Sequence, residues 1–109
     1  RTVPLSSKAL QILNSRKSIE YCESVFTLDG DAITQKYLSK TFKSFVKRAG
    51  INPKLHFHSL RHTFASWLVQ KGVSIYEVSK LLGHADIKTT QIYAHLRSDD
   101  LRNAVELLN

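Results

Sequence analysis

The sequence predicts a mainly α-helical chain with one or two short β-strands on its N-terminal side. Three observations lead there. Apolar residues recur at three- and four-residue spacing through several segments of the 109 residues. Serine or threonine precedes most of these segments, and Gly50, Gly72 and Gly83 each follow one, which is the punctuation of helix starts and stops. Only residues 1–5 and 24–28 are short, β-prone runs. A chain of this length is expected to form one small domain around one core.

Taken in order, Arg1-Thr2-Val3-Pro4-Leu5 reads as one strand of a hairpin whose partner is expected upstream of residue 1. Ser6 or Ser7 is an N-cap for a packing helix to about Asn14, with Ala9, Leu10 and Leu13 on one side. The lone Cys22 can form no internal disulfide and reads as a small buried hydrophobe. Ser24-Val25-Phe26-Thr27-Leu28, followed by Asp29-Gly30-Asp31, is a brief strand or an extended connector. Thr34 caps an amphipathic helix to Ala49, stopped by Gly50. Leu38, Phe42, Phe45, Val46 and Ala49 share one side of it, and Lys36, Lys40, Lys43 and Lys47 the opposite side. Ser59 is the expected cap of a helix from 60 to 71 with Leu60, Phe64, Trp67 and Leu68 as its buried stripe. Ser74 and Glu77 form a capping box for a short helix that Gly83 ends, and His84 follows at its C-terminus. A helix from Ile87 through Tyr93 to His95 is expected next. Residues 99–108 then make a final amphipathic helix edged by Leu101, Val105 and Leu108.

Charge narrows the function classes. The chain carries 16 Lys and Arg against 9 Asp and Glu, a net +7. Between Asp31 and Glu77 there is no acidic residue. So one-sided a segment repels itself unless a polyanion faces it, which suits nucleic acid. No run approaches the 18 or so apolar residues of a membrane span, and the N-terminus lacks an apolar signal region; the chain reads as soluble and intracellular.

The chemistry-bearing residues crowd between His58 and Tyr93. Arg61 offers a planar fork of donors that stays charged and can hold two phosphate oxygens. His58 and His84 are candidate proton carriers, since imidazoles exchange protons near neutral pH. His58 and His62 imitate half of a zinc helix, but Arg61 between them would repel a cation, so no metal site is expected. Tyr37, Tyr76 and Tyr21 read as packing residues. Tyr93 differs, standing among Thr89, Thr90, Gln91 and His95. A phenol becomes a useful nucleophile when a base takes its proton or a cation steadies the phenolate.

His58-Ser-Leu-Arg61-His62-Thr-Phe-Ala-Ser66, then Leu81-Leu-Gly-His84, then Thr89-Thr-Gln-Ile-Tyr93-Ala-His95, resemble the C-terminal half of the catalytic domain of tyrosine recombinases, the phage integrase family. The resemblance covers roughly residues 1–97. It implies a compact helical DNA breaking-rejoining fold, of which this chain is the C-terminal portion. It implies that Tyr93 attacks a phosphodiester of double-stranded DNA, giving a 3′-phosphotyrosyl link and a free 5′-hydroxyl, with no metal and no cofactor. Arg61, His58 and His84 would activate the phosphate and shuttle protons. The family's earlier arginine and hairpin lysine match neither Arg1 nor any other position here; both are expected upstream, so this chain alone is expected to be inactive. Lys36, Lys40, Lys43, Lys47, His62, Thr89 and Thr90 are the expected DNA contacts. The resemblance further implies a homo-multimer on DNA through the C-terminal helix, and a cytoplasmic, nucleoid-associated protein of bacterial or phage origin.

A rival reading is a non-catalytic, helix-turn-helix-like DNA-binding regulator. In it the helices around Gly72 support a third that presents Thr89, Thr90 and Gln91 to a major groove. A metal-dependent nuclease lacks the carboxylate cluster that would hold magnesium.

Overall fold

The computed structural model describes residues 1–16, 23–97 and 101–108. In chain order it contains α1 (Ser7–Asn14), β1 (Thr27–Leu28), β2 (Asp31–Ala32), α2 (Gln35–Ala49), α3 (Ser59–Gln70), α4 (Ile75–Leu82), two 3-10 segments (Ile87–Thr89 and Gln91–Leu96) and α5 (Leu101–Glu106). The mainly helical expectation holds, and a two-stranded antiparallel sheet accompanies the helices. Backbone proximity divides the chain into two compact units, Thr2–Ser59 and Arg1 with Leu60–Asn109. Cys22, Tyr21, Asp99 and the side chain of Leu101 lie outside the described residues.

In the unit of residues 2–59, α1 starts where serine lets it. Ser6 Oγ accepts from the Ala9 N–H at 3.2 Å, satisfying a donor the first turn would leave orphaned. Its packing role is weaker than expected, for no residue of α1 is buried and Leu10 is exposed. Residues 1–6 form no strand. No described strand pairs with them, and extended backbone without a ladder is not a strand. The sheet lies instead at β1 and β2, with Thr27 opposite Ala32 and Leu28 opposite Asp31. Asp29 at φ 52° and Gly30 at φ 87° make the two-residue turn between them, whose left-handed conformations match the twist of paired strands.

Helix α2 runs as expected from its Thr34 cap, whose Oγ1 accepts from the Tyr37 N–H at 3.1 Å, to Gly50 at φ 66°. Its apolar face is only partly covered. Val46 is buried, Leu38 and Phe42 are half-buried, and Phe45 and Ala49 are exposed. Phe42 meets Phe57 edge to face, with centroids 5.8 Å apart. The Arg48 guanidinium lies 5.6 Å from the Phe45 ring centroid, shielding that ring with a cation.

The other unit holds a denser core of Ala65, Val69, Val78, Leu82 and Tyr93, flanked by Leu68, Val73, Ile75 and Leu96. Here the stripe expected on α3 is corrected. Leu60, Phe64 and Trp67 are exposed, and Ala65 and Val69 are the residues buried. Periodicity allows an apolar stripe on either side of such a helix. Once the Tyr93 ring occupies the core, the small side chains at 65 and 69 are the ones that fit beside it at native density. Gly72 and Gly83 end α3 and α4 in the same way. The residue after each glycine donates to a carbonyl five back, Val73 to Leu68 at 3.0 Å and His84 to Ser79 at 3.1 Å. Both glycines sit at positive φ, 91° and 75°, a conformation that other residues resist. The capping box of α4 forms as read, with the Glu77 N–H on Ser74 Oγ at 3.1 Å and the Ser74 N–H on the Glu77 carboxylate at 3.3 Å.

Beyond α4 the expected single helix from Ile87 to His95 is two 3-10 segments that meet at Thr90. Asp86 caps the first through the Lys88 N–H at 2.9 Å. The three-residue hydrogen bonds then hand over at Thr90, whose N–H donates to Ile87 O at 2.9 Å and whose carbonyl accepts from the Tyr93 N–H at 3.0 Å. Three residues make one full turn of a 3-10 helix, so residues 90 and 93 face the same way, and both side chains are buried. Among the described residues, no helix is long and apolar enough to cross a membrane.

Candidate active site

The carbonyl of Leu82, the last residue of α4, gathers cations. The Arg61 Nη2 donates to it, and Arg1 Nη1 donates to it at 3.1 Å. A helix C-terminus leaves its last carbonyls unpaired and carries negative partial charge, so a guanidinium is a natural partner. Arg61 comes from the first turn of α3 and is half-buried. A guanidinium has five donors, and the Leu82 bond fixes the plane of the group while using a fraction of them.

His84 lies two residues beyond that carbonyl. Its backbone is set by the Gly83 turn, and its Nδ1 lies 2.6 Å from Thr90 Oγ1. Thr90 is 0% exposed. It therefore cannot present its side chain to a base edge, and the expected DNA contact at Thr90 is corrected. A β-branched residue at the junction of two inward-turned 3-10 segments packs into the core, and its hydroxyl finds the nearest imidazole. Thr89 is exposed.

Tyr93 is 7% exposed, and its ring belongs to the core. The other tyrosines described, Tyr37 and Tyr76, are exposed and not the packing residues expected. Tyr76 instead carries the Lys80 ammonium 5.2 Å from its ring centroid. The Tyr93 hydroxyl is hydrogen-bonded to His62 Nδ1, with the two rings 5.9 Å apart. The sequence points His62 at DNA; the structure sets it against the phenol. Helical spacing shows why. His62 is one residue from Arg61 and three before Ala65, so the edge of α3 that borders the core also carries the imidazole to the tyrosine. Sequence spacing offers no sign of this, because positions 31 residues apart meet only through the tertiary fold.

One unit thus brings together Arg61, His62, His84, Thr90 and Tyr93. His58 belongs to the other, in the turn before α3, with its ring 6.4 Å from that of His56. The same turn shows how α3 begins. Ser59, expected as the N-cap, is already helical, and its Oγ accepts from the His56 N–H at 3.1 Å. Of the lysine stripe on α2, all four members are exposed. Lys43 Nζ, however, donates to Pro53 O at 2.8 Å, folding that ammonium back onto its own chain. Among the described residues no group of three His, Cys, Asp or Glu is placed to hold a metal ion.

The sequence profile of the phage integrase family matches residues 1–99, and the chain belongs to that family. It is 36% identical over its full length to a "Tyrosine recombinase XerC-like" protein of Caldanaerobacter subterraneus subsp. tengcongensis, covering 32% of that protein. It is 36% identical over 93% of its length to a "Tyrosine recombinase XerD" of Lacticaseibacillus casei, covering 38% of it. A "Tyrosine recombinase XerA" of Saccharolobus solfataricus is 46% identical over 74% of the chain, which covers 25% of that relative. The chain therefore spans about a third of the length of the curated relatives it matches. No solved structure gives a significant match.

Proposed function

We propose that the intact protein is a tyrosine-type site-specific DNA recombinase and that this chain carries the nucleophile-bearing, C-terminal part of its catalytic domain. The observation that supports this most is the joining of Tyr93, Arg61 and His84 within one packed unit although the chain separates them by up to 32 residues. The Tyr93 phenolate oxygen attacks a phosphodiester of double-stranded DNA in line, forming the 3′-phosphotyrosyl bond. The bond to the 5′ oxygen breaks, and that oxygen leaves with a proton as a free hydroxyl. One phosphodiester replaces another, so the reverse attack by the 5′-hydroxyl of another strand rejoins DNA without an external energy source. Arg61 neutralises the charge that builds on the non-bridging oxygens, and His58 and His84 contact the phosphate. His62 is the group placed to receive the phenol's proton.

Arg61 exchanges its Leu82 carbonyl for a phosphate oxygen or holds both. Lys36, Lys40 and Lys47 line the DNA backbone with Thr89, and the protein assembles as a homo-multimer through its C-terminal helix, where Val105, Leu107 and Leu108 are exposed. The family's further arginine and lysine come from chain outside these 109 residues. The regulator reading loses support from the burial of Thr90, since the segment it needs for reading bases turns that side chain inward.

The test uses the intact protein and nicked duplexes taken from the DNA flanking its own gene. Protein should become linked to a 3′ end, and Tyr93→Phe should abolish the adduct while leaving duplex binding in place. Tight binding by the unaltered protein with no adduct would replace the enzyme reading with a recombinase-derived DNA-binding protein.

A further inference from the structure

We propose that Thr90 is a positioning residue that holds His84 in the tautomer with its proton on Nε2 and ties that proton to the turn carrying the nucleophile. The inference rests on the recombinase reading for its consequence, and on geometry alone for its first half.

The geometry begins with burial. Thr90 is 0% exposed, and its hydroxyl lies 2.6 Å from His84 Nδ1, its single side-chain partner among the described residues. A buried hydroxyl must donate its proton to something. Its backbone N–H is already committed to the carbonyls of Ile87 and Lys88, and its carbonyl to the Tyr93 N–H. The Thr90 O–H therefore donates to Nδ1, because the opposite arrangement leaves the hydroxyl proton without an acceptor in a dry site. With Nδ1 accepting, the ring proton of neutral His84 resides on Nε2, the nitrogen on the far side from Thr90. His84 borders an open hollow that Ser79, Lys80, Asp86 and Ile87 also line, so an oxygen of a bound backbone has a route to the ring.

Two further features make Thr90 more than a hydrogen-bond partner. It ends the first 3-10 segment and begins the second, so one residue fixes the imidazole through its side chain and the Tyr93 turn through its carbonyl at 3.0 Å. The His84 backbone is fixed from the other side by its bond to Ser79 O at 3.1 Å. Hydrogen-bond donor and nucleophile are thereby held in register by a stretch of ten residues, 84–93. In the recombinase reaction Nε2–H keeps its proton and donates a hydrogen bond to a non-bridging phosphate oxygen, strengthening as negative charge builds there during attack by Tyr93. In rejoining, the same N–H holds the same oxygen while the 5′-hydroxyl attacks.

The test has two arms on the intact protein. In the first, long-range proton–nitrogen correlation spectra of histidine-labelled protein report which ring nitrogen carries the proton. Neutral His84 should show the Nε2–H form. Thr90→Val, which keeps the branched shape and removes the hydroxyl, should give a mixture of tautomers; Thr90→Ser should keep the single form. An Nδ1–H form in the unaltered protein, or no change in Thr90→Val when its circular dichroism matches the parent, overturns the assignment. If Thr90→Val does not fold, the unaltered protein and Thr90→Ser still decide it.

In the second arm, single-turnover cleavage of a nicked duplex by Thr90→Val should fall on the order of tenfold to a hundredfold, as when other groups that orient a histidine are removed. Duplex affinity should stay within about twofold and Thr90→Ser should recover most of the rate, because Thr90 is placed to act in the chemical step alone. With bridging 5′-sulfur at the scissile phosphate the leaving group is a thiolate that needs no proton, so the Thr90→Val defect should remain, because Nε2–H acts on the non-bridging oxygens. Relief of the defect by sulfur removes the phosphate-holding role. An intact adduct in the parent protein keeps that failure separate from failure of the recombinase reading.

Discussion

The two compact units differ in what they bury. In Arg1 with Leu60–Asn109, five hydrophobic residues and the side chains of Ser79 and Thr90 are buried among those described. Among the described residues of 2–59, Val46 is the buried hydrophobe, and Leu10, Val25, Phe26, Phe45 and Ile51 all stand exposed. The first unit holds Tyr93, His62, His84 and Arg61. The second holds the lysine face and His58. Reacting groups need fixed geometry to within fractions of an ångström, which close packing provides, whereas phosphate contacts from long flexible lysines tolerate a loosely packed platform. His58, which the proposed chemistry also uses, is the exception, carried by the looser unit.

The sharpest way to break this comparison is at the nucleophile. Tyr93→Phe in the intact protein should eliminate the covalent adduct and change thermal stability little, since the ring stays in the core; the adduct is read by denaturing gel electrophoresis. His62→Phe removes the imidazole that touches the phenol. It should slow cleavage by about 100-fold or more if His62 receives the proton, with single-turnover rates as the check.

Stability should separate the units next. Val78→Ala, in the dense core, should cost about 2 to 3 kcal/mol in denaturant unfolding, the sum of reduced burial and the cavity left behind. Phe45→Ala, on the exposed side of α2, should cost under about 1 kcal/mol despite deleting the larger side chain. Equal losses at the two positions would mean that the second unit is as tightly packed as the first. Ser74→Ala, which breaks the capping box beneath α4, should fall between them at about 1 kcal/mol.

The smallest expected effect sharpens the role of the lysine face. Replacing Lys36, Lys40 and Lys47 by alanine should reduce the slope of log affinity for DNA against log salt by about 1 for each phosphate that no longer meets an ammonium. Lys43→Ala should change the slope less, because its ammonium is engaged by Pro53 O at 2.8 Å. A full unit of slope at Lys43 would show that this bond gives way to DNA.

Much of this molecule is legible from local rules. The caps at Ser6, Thr34 and Ser74 and the stops at Gly50 and Gly83 lie where the sequence puts them, because each depends on residues within one helical turn. The strands at 27–28 and 31–32 are half legible. Asp29-Gly30 is a strong signal for a two-residue hairpin turn, but the run after it is two residues long and polar enough to read as loop. The spacing of His58, Arg61, His84 and Tyr93 carries the family resemblance that the comparison bears out.

What the sequence by itself determined, then, is the helices α1 to α5, the basic character of the chain and the family to which its motifs belong. Those are properties of neighbours in sequence or of residue identity. The tertiary structure decided which stripe of α3 is buried, that Thr90 turns inward to His84, and that His62 meets Tyr93. The physical reason is the same in each case. A helix with apolar residues on more than one side has no preferred face until a partner fills space beside one of them. Once the Tyr93 ring packs against Ala65 and Val69, the positions of the neighbouring imidazole and hydroxyl follow from the rigid geometry of the turns that carry them.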